Sequence, residues 1–207
     1  MGFPLPKNKV SPEDIFDLLN RSEGSKILMV GGKSIEKWIL STLSTMTFAP
    51  NTGTKEVWLA DERITKDTSL RNETSLRRIL PPQFILKDFY SPKTSVISSN
   101  LFDEWDSNFL KLEILDLAIF AMGRDGHIAS LLDVAATKVG KNIQILKIPT
   151  EPFWRVSVTL DYVDRVKEKV LLVQNNRLDK FRELYESNSY YGMVLQKFSK
   201  SEILNVL

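Results

Sequence analysis

Apolar positions along the chain fall into short runs that alternate with stretches of helical spacing. Residues 26–30 form an apolar run stopped by Gly31-Gly32, and Ile35, Trp38, Ile39 and Thr42 then recur every three or four positions. This pattern predicts strand, glycine turn and helix. A second unit begins with a strand at 56–60, turns at Asp61-Glu62-Arg63 and continues as a helix over about 68–80, closed by Pro81-Pro82. A third has a helical approach over 101–112, a strand at 115–122 and a loop from Gly123 to His127 that leads into a short helix. Ahead of these, Ser11-Pro12-Glu13-Asp14 has the cap, first-turn proline and acids of a helix start, predicting a helix through Leu19. Further on, 143–148, 155–160 and 169–174 read as β segments and 178–185 as a helix. The tail from Ser187 has no clear period.

Repeated β/α alternation predicts an α/β fold with an open, mainly parallel twisted sheet covered by helices. In such sheets ligands bind beyond the carboxyl ends of the strands, where the polar turns of all three units lie. At 207 residues and 43% hydrophobic content, the chain suits a single domain over 1–207. No repeat or composition shift divides it, and the proline-containing stretch 149–153 reads as a loop.

Composition narrows the partners. The 28 Lys and Arg residues barely exceed the 26 Asp and Glu residues, which argues against nucleic acid or an acidic membrane as the main partner. A small anion needs only a local group of donors. With no cysteine, the chain has no disulfide, thiolate metal site or cysteine nucleophile. No apolar run has the length of a membrane span, and residues 1–10 have none typical of a signal peptide, so the expectation is a cytoplasmic protein.

The most informative segment is Gly123-Arg124-Asp125-Gly126-His127-Ile128-Ala129-Ser130, which carries the only histidine. An imidazole at a strand-to-helix turn can face a cleft and take a proton near neutral pH, and Asp125 can orient it or stabilise its charged form. The competing reading is a histidine that braces a helix start. Gly31-Gly32-Lys33-Ser34 lies where first-turn N–H groups make a phosphate cradle, with Lys33 adding charge, although such a turn also serves plain chain reversal. Asp61 and Arg63 offer a carboxylate for sugar hydroxyls and a forked donor for phosphate, unless the triplet is a solvated turn. Arg155 stands at the mouth of a β segment, to bind an anion or to end the strand. Trp58, Trp105 and Trp154 fit packing roles.

Together these motifs resemble the 6-phosphogluconolactonase family, within the group that includes glucosamine-6-phosphate deaminase. The stretch from Leu115 to Leu131 is similar to the family's strand and Gly-x-Gly-x-Asp-Gly-His-x-Ala-Ser-Leu signature, with Ala121 at the first glycine. Trp58-Leu59-Ala60-Asp61-Glu62-Arg63 and Arg155-Val156-Ser157-Val158-Thr159-Leu160 resemble two further family segments in the same order. The chain departs at Val30 and Lys33, where the family has serines around its glycines, at Thr150, where it has lysine, and at Arg71-Asn72, where it has Ser-Asn. Arg124, Lys147 or Lys33 can offset the lysine. The deaminases share the Asp-Gly-His turn but then carry a glutamate where this chain has Leu132.

The resemblance implies a Rossmann-like fold of the sugar-phosphate isomerase/lactonase type. It also implies an enzyme that hydrolyses 6-phosphoglucono-δ-lactone to 6-phosphogluconate in the oxidative pentose phosphate pathway. His127 would be the general base and Asp125 its partner, while Gly31, Gly32, Lys33, Asp61, Arg63, Arg124 and Arg155 would hold the substrate. Hydrolysis moves no hydride and the acids show no metal-ligand spacing, so neither cofactor nor metal is expected. The alternatives are a deaminase-like isomerase and a non-catalytic sugar-phosphate-binding protein.

Overall fold

A computed structural model describes residues 26–42, 54–87, 99–112, 115–198 and 202–206. The helix expected at 11–19 lies outside them. The first sheet contains β1 (Lys26–Met29), β2 (Lys55–Leu59), β4 (Phe84–Leu86), β5 (Leu117–Ala121), β9 (Glu168–Gln174) and β10 (Glu202–Val206). Their spatial order is β10-β9-β5-β1-β2-β4, and every pairing is parallel. Numbered on their own, these six strands run 3-2-1-4-5-6, the doubly wound order. The chain winds outward in opposite directions from β1 and β5, so the crevice at the carboxyl ends of those neighbours is where this topology opens a binding site.

Helices α1 (Lys33–Thr42), α2 (Asn72–Ile79), α3 (Ser99–Lys111) and α5 (Leu178–Tyr185) agree with the sequence pattern. Short helices α4 (Leu160–Asp164) and α6 (Tyr190–Gln196) are additions, as is β10 in the tail. The central strands are buried on both faces: Ile27, Leu28 and Met29 of β1 and Leu117, Ala118, Ile119 and Phe120 of β5 have almost no exposed surface. This explains their unbroken apolar runs. None of the described helices is long and apolar enough to cross a membrane.

Three local expectations are corrected. Asp61-Glu62-Arg63 is not a turn: after Ala60 the chain leaves the parallel sheet and continues as β3 (Asp61–Ile64) in a second sheet. That sheet is antiparallel, ordered β3-β8-β7-β6, with β6 at Ala136–Val139, β7 at Ile143–Lys147 and β8 at Trp154–Val158. The helix expected over 68–80 is split, a 3₁₀ turn at Thr68–Leu70 preceding α2. Residues after His127 form tight turns rather than a short helix, with Ile128 bridging to Met122 and to Leu131.

The two sheets meet at Ala60. Its N–H donates to Met29 O and its carbonyl accepts from Val158 N, each at 2.8 Å. Buried Ile143, Ile145, Val156 and Val158 join the same apolar cluster as the parallel strands. The antiparallel sheet thus brings β3 and β8 to the crevice beside β2.

The split helix has a physical cause. Arg71 occupies the N-cap of α2 and makes no side-chain cap bond. Its guanidinium turns away to Thr65 O, at 2.7 and 3.0 Å. Glu62 replaces the missing cap: its carboxylate accepts from Asn72 N at 2.7 Å, Glu73 N at 2.8 Å and Arg63 N at 2.6 Å. A carboxylate there satisfies orphan helix donors and complements the helix dipole. Burial nevertheless pushes the Glu62 carboxyl up to about 7, against the pull of those three N–H groups and with the Asp61 charge adding to the rise.

Candidate active site

The carboxyl ends of β1 and β5, with β3 and β8 alongside, enclose a cavity of about 240 Å³. Gly31, Gly32 and Lys33 line it after β1, and Arg124 and His127 line it after β5. Asp61, Arg63 and Arg155 enter from the antiparallel sheet. Asp125 stands behind His127 rather than on the cavity wall. All nine residues singled out in the sequence are therefore drawn to one place.

His127 is held in a defined orientation. Its Nδ1 lies 2.5 Å from Asp125 Oδ1. An ionised carboxylate only accepts hydrogen bonds, so Nδ1 carries a hydrogen, and in the neutral ring the lone pair is on Nε2. Burial raises the Asp125 carboxyl, but the charge on His127 and the hydrogen bonds from it are together stronger and hold Asp125 below the ordinary carboxylate range. The Nδ1–Cε1–Nε2 edge of the ring rests on Gly123, where a Cβ would overlap Cε1 and Nδ1. The turn itself is closed by Gly123 N donating to His127 O at 2.8 Å. Ala129, two residues on and also on the cavity wall, adopts φ 53°. A left-handed alanine is strained by roughly 1 kcal/mol, and the bridges on either side of it keep the turn in place.

Across the cavity, Asp61 is buried and anchored. Ser130 Oγ donates to its Oδ2 at 2.7 Å and Asn72 Nδ2 lies 3.3 Å from its Oδ1. Asn72 Nδ2 also donates to Asp61 O at 3.0 Å. The Asn72 side chain packs on Gly31 so closely that a Cβ at Gly31 would overlap it. Gly31 is thus glycine because the Asn72 side chain occupies the neighbouring volume. Gly32 differs: its φ of 103° is the left-handed geometry that turns the chain into α1. The first-turn N–H groups of α1 have no acceptor within the helix, and Gly32 and Lys33 at its start line the cavity, which suits an anion.

Arg155 is already partly committed. Its Nε and Nη2 donate to the two Glu151 oxygens at 2.8 and 2.5 Å, and Nη1 donates to Ser130 Oγ at 3.2 Å. Arg63 donates from Nη1 to Leu70 O at 2.7 Å, and its Nε has no hydrogen-bond partner among the described residues. Both guanidinium groups lie 5.8 Å from the Phe153 ring centre. Lys147, expected to offset the lysine lost at Thr150, instead donates to Glu151 O and Phe153 O, at 2.7 and 3.4 Å, and orders the 149–153 loop.

Two polar residues of the cavity wall, Asn72 and Arg177, and Ser130, which holds Asp61 from behind it, were not chosen from the sequence. Asn72 and Ser130 stood inside family-like segments but were given no role. Arg177, on the 3₁₀ turn that follows β9, lines the cavity and donates from Nη1 to Met122 O. The rule that polar groups gather after parallel strands would have found it, had the stop after β9 been weighed as those after β1 and β5 were.

No curated protein matches the chain. Its fold is similar to solved 6-phosphogluconolactonases. That of Shewanella baltica OS155 aligns with TM-score 0.73 and 16% identity over 98% of this chain and 98% of the other. The Trypanosoma brucei enzyme gives 0.71 and 14% over 99% and 96%, and the Plasmodium vivax enzyme 0.70 and 16% over 94% and 85%. At such identities the likeness concerns the fold. The sequence itself matches, over residues 12–186, the family model described as glucosamine-6-phosphate isomerases/6-phosphogluconolactonase. The chain belongs to the glucosamine-6-phosphate isomerase/6-phosphogluconolactonase family.

Proposed function

We propose that the chain is a lactone hydrolase that converts 6-phosphoglucono-δ-lactone to 6-phosphogluconate, the hydrolytic step of the oxidative pentose phosphate pathway. The observation that carries this is the Asp125–His127 pair at the wall of a cavity lined by cationic groups. The Nε2 lone pair of His127 takes a proton from water as the water oxygen attacks C1. The bond from C1 to the ring oxygen then breaks, and His127 returns the proton to that oxygen, which leaves as the C5 hydroxyl. The new carboxyl group ionises, releasing the second proton of the water.

Asp125 stabilises the imidazolium that exists between these steps. Gly31, Gly32, Lys33, Arg63 and Arg155 hold the phosphate, so that C1 is fixed before reaction. Asp61, clamped by Ser130 and Asn72, receives sugar hydroxyls. The same pair could serve proton transfer in a deaminase, but Asp125 is the one carboxylate hydrogen-bonded to His127 among the described residues, and Leu132 supplies no second acid.

The test is hydrolysis of freshly generated lactone above its spontaneous rate, with a chelator present, for wild type and His127→Ala. Wild type should accelerate the reaction, and the variant should stay folded while losing about 10²- to 10⁴-fold in kcat. Absence of wild-type acceleration would refute the proposal and make deamination of glucosamine 6-phosphate the next assay.

A further inference from the structure

Arg63 and Arg155 stand directly opposite one another in the register of β3 and β8. Both line the cavity, and both guanidinium groups lie 5.8 Å from the Phe153 ring centre. Like charges opposed across an antiparallel pair repel, so this arrangement gains from an anion beside it. Glu151 supplies one from within the chain. Its two oxygens accept from Nε and Nη2 of Arg155 at 2.8 and 2.5 Å, a forked pair.

The backbone that carries this carboxylate is fixed without help from the side chain. Glu151 N donates to Ile148 O at 3.0 Å, and Glu151 O accepts from Lys147 Nζ at 2.7 Å. The loop therefore presents Glu151 to Arg155 with only side-chain freedom left to lose. The Glu151 and Arg155 side chains are 24% and 14% exposed, so water and salt screen the pair less than a surface pair. A guanidinium pairs with a carboxylate through the same forked donors that it offers to a phosphate.

Little of Arg155 is left over. Glu151 takes its Nε–H and one Nη2–H, and Ser130 Oγ takes one Nη1–H. Asp61 Oδ2 lies 4.0 Å from Nη1 on that second side. A phosphate that reaches Arg155 thus meets carboxylates on either side of the guanidinium, and it gains the forked edge only by displacing Glu151. An uncharged hydroxyl in the same place meets no such repulsion.

Resting on the hydrolase reading above, we infer that Glu151 is a specificity-determining residue: its carboxylate competes with the substrate phosphate for the forked edge of Arg155 and so lowers the preference for phosphorylated over unphosphorylated sugar lactones. Glu151 acts through Arg155 and not on the reacting carbon. It therefore raises KM for the phosphorylated lactone and leaves the chemistry at His127 alone.

The test compares wild type with Glu151→Gln and Glu151→Ala, by calorimetric titration of 6-phosphogluconate and by hydrolysis of 6-phosphoglucono-δ-lactone and of glucono-δ-lactone. Both variants should bind 6-phosphogluconate about tenfold more tightly than wild type. KM for the phosphorylated lactone should fall by a similar factor with kcat within about twofold, and kinetics on the unphosphorylated lactone should stay as they were. A purely structural Glu151 would do the reverse, since a loosened Arg155 holds phosphate less well and KM rises. In an Arg155→Gln background the gain from Glu151→Gln should shrink to less than about twofold. The alanine variant removes the side chain that glutamine would leave in contact with Arg155, while the backbone bonds of the loop are kept. Unchanged or weaker binding in both variants would overturn the inference and leave the hydrolase reading intact. A gain that persists at full size without Arg155 would overturn it too, by assigning the effect to the charge of Glu151 alone. Failure of 6-phosphogluconate to bind any of these proteins would remove the sugar-phosphate reading itself, and the inference with it.

Discussion

Gly123→Ala separates activity from stability at the proposed base. The backbone at Gly123 has no positive φ, so an alanine there is not strained by its own conformation. Its only difficulty is the imidazole: the added Cβ would lie 2.5 Å from His127 Nδ1 and 2.9 Å from Nε2, and nearer still to Cε1. Ordinary contact between such atoms needs roughly 3.5 Å, so the ring must withdraw by about 1 Å. His127 is 34% exposed, which leaves it room to swing outward at the loss of its bond to Asp125. A half-exposed pair of this kind contributes about 1 kcal/mol or less to folding. A 1 Å displacement of a catalytic group, in contrast, lowers rate by about 10²-fold. Lactone hydrolysis and thermal denaturation of the same preparation are the paired assays. The expected outcome is a kcat near 1% of wild type, roughly, with Tm lowered by no more than about 4 °C. A variant with near-wild-type turnover would refute the placement of the ring on Gly123. One that lost stability in proportion to activity would show that the glycine serves the turn and not the histidine.

Glu62 should make stability depend on pH with a definite sign. Its folded pKa of about 7 exceeds the ordinary 4.5, so between those values the native state holds more proton than the unfolded chain. Stability therefore falls as pH rises from about 4.5 to about 7, by up to about 3 kcal/mol, and Glu62→Gln should flatten this part of the profile in urea melts at several pH values. An unaltered slope in the variant would assign the dependence to other groups. Gly32→Ala should cost about 1–2 kcal/mol in chemical denaturation, because φ 103° is strained for alanine while the position has open space around it. Asp106, whose carboxylate accepts from Lys141 N, Asn142 N and Ile143 N, pins the start of β7 to α3. Asp106→Ala should remove about 2–4 kcal/mol in the same melts with kcat little altered, and a loss under about 1 kcal/mol would mean that water replaces the carboxylate.

What a single sequence exposes here is whatever a local run of residues decides. β1, β5 and β9 were legible because strands buried on both faces need continuous apolar side chains, and the turn after each was marked by glycine or by polar residues. The switch point between β1 and β5 then accounts for the site, since the two glycine-containing turns must sit side by side. β3 was hidden because its residues begin Asp-Glu-Arg, a pattern that locally reads as solvated. Those charges are buried in company drawn from elsewhere: Asp61 from Ser130, 69 positions away, and Glu62 from the start of α2. β4, with three residues, and β6, half-buried and alternating, are too short to carry a period. The same division runs through the site. That Arg155 would face an anion could be expected from its position at a strand mouth, but its availability could not. Glu151 already occupies one edge of the guanidinium and Ser130 part of another, so Arg155 can offer a phosphate only what those partners leave. Arg63 commits one donor, to Leu70 O, where Arg155 commits three, an ordering that depends on contacts made across the fold and not on either residue's neighbours in the chain.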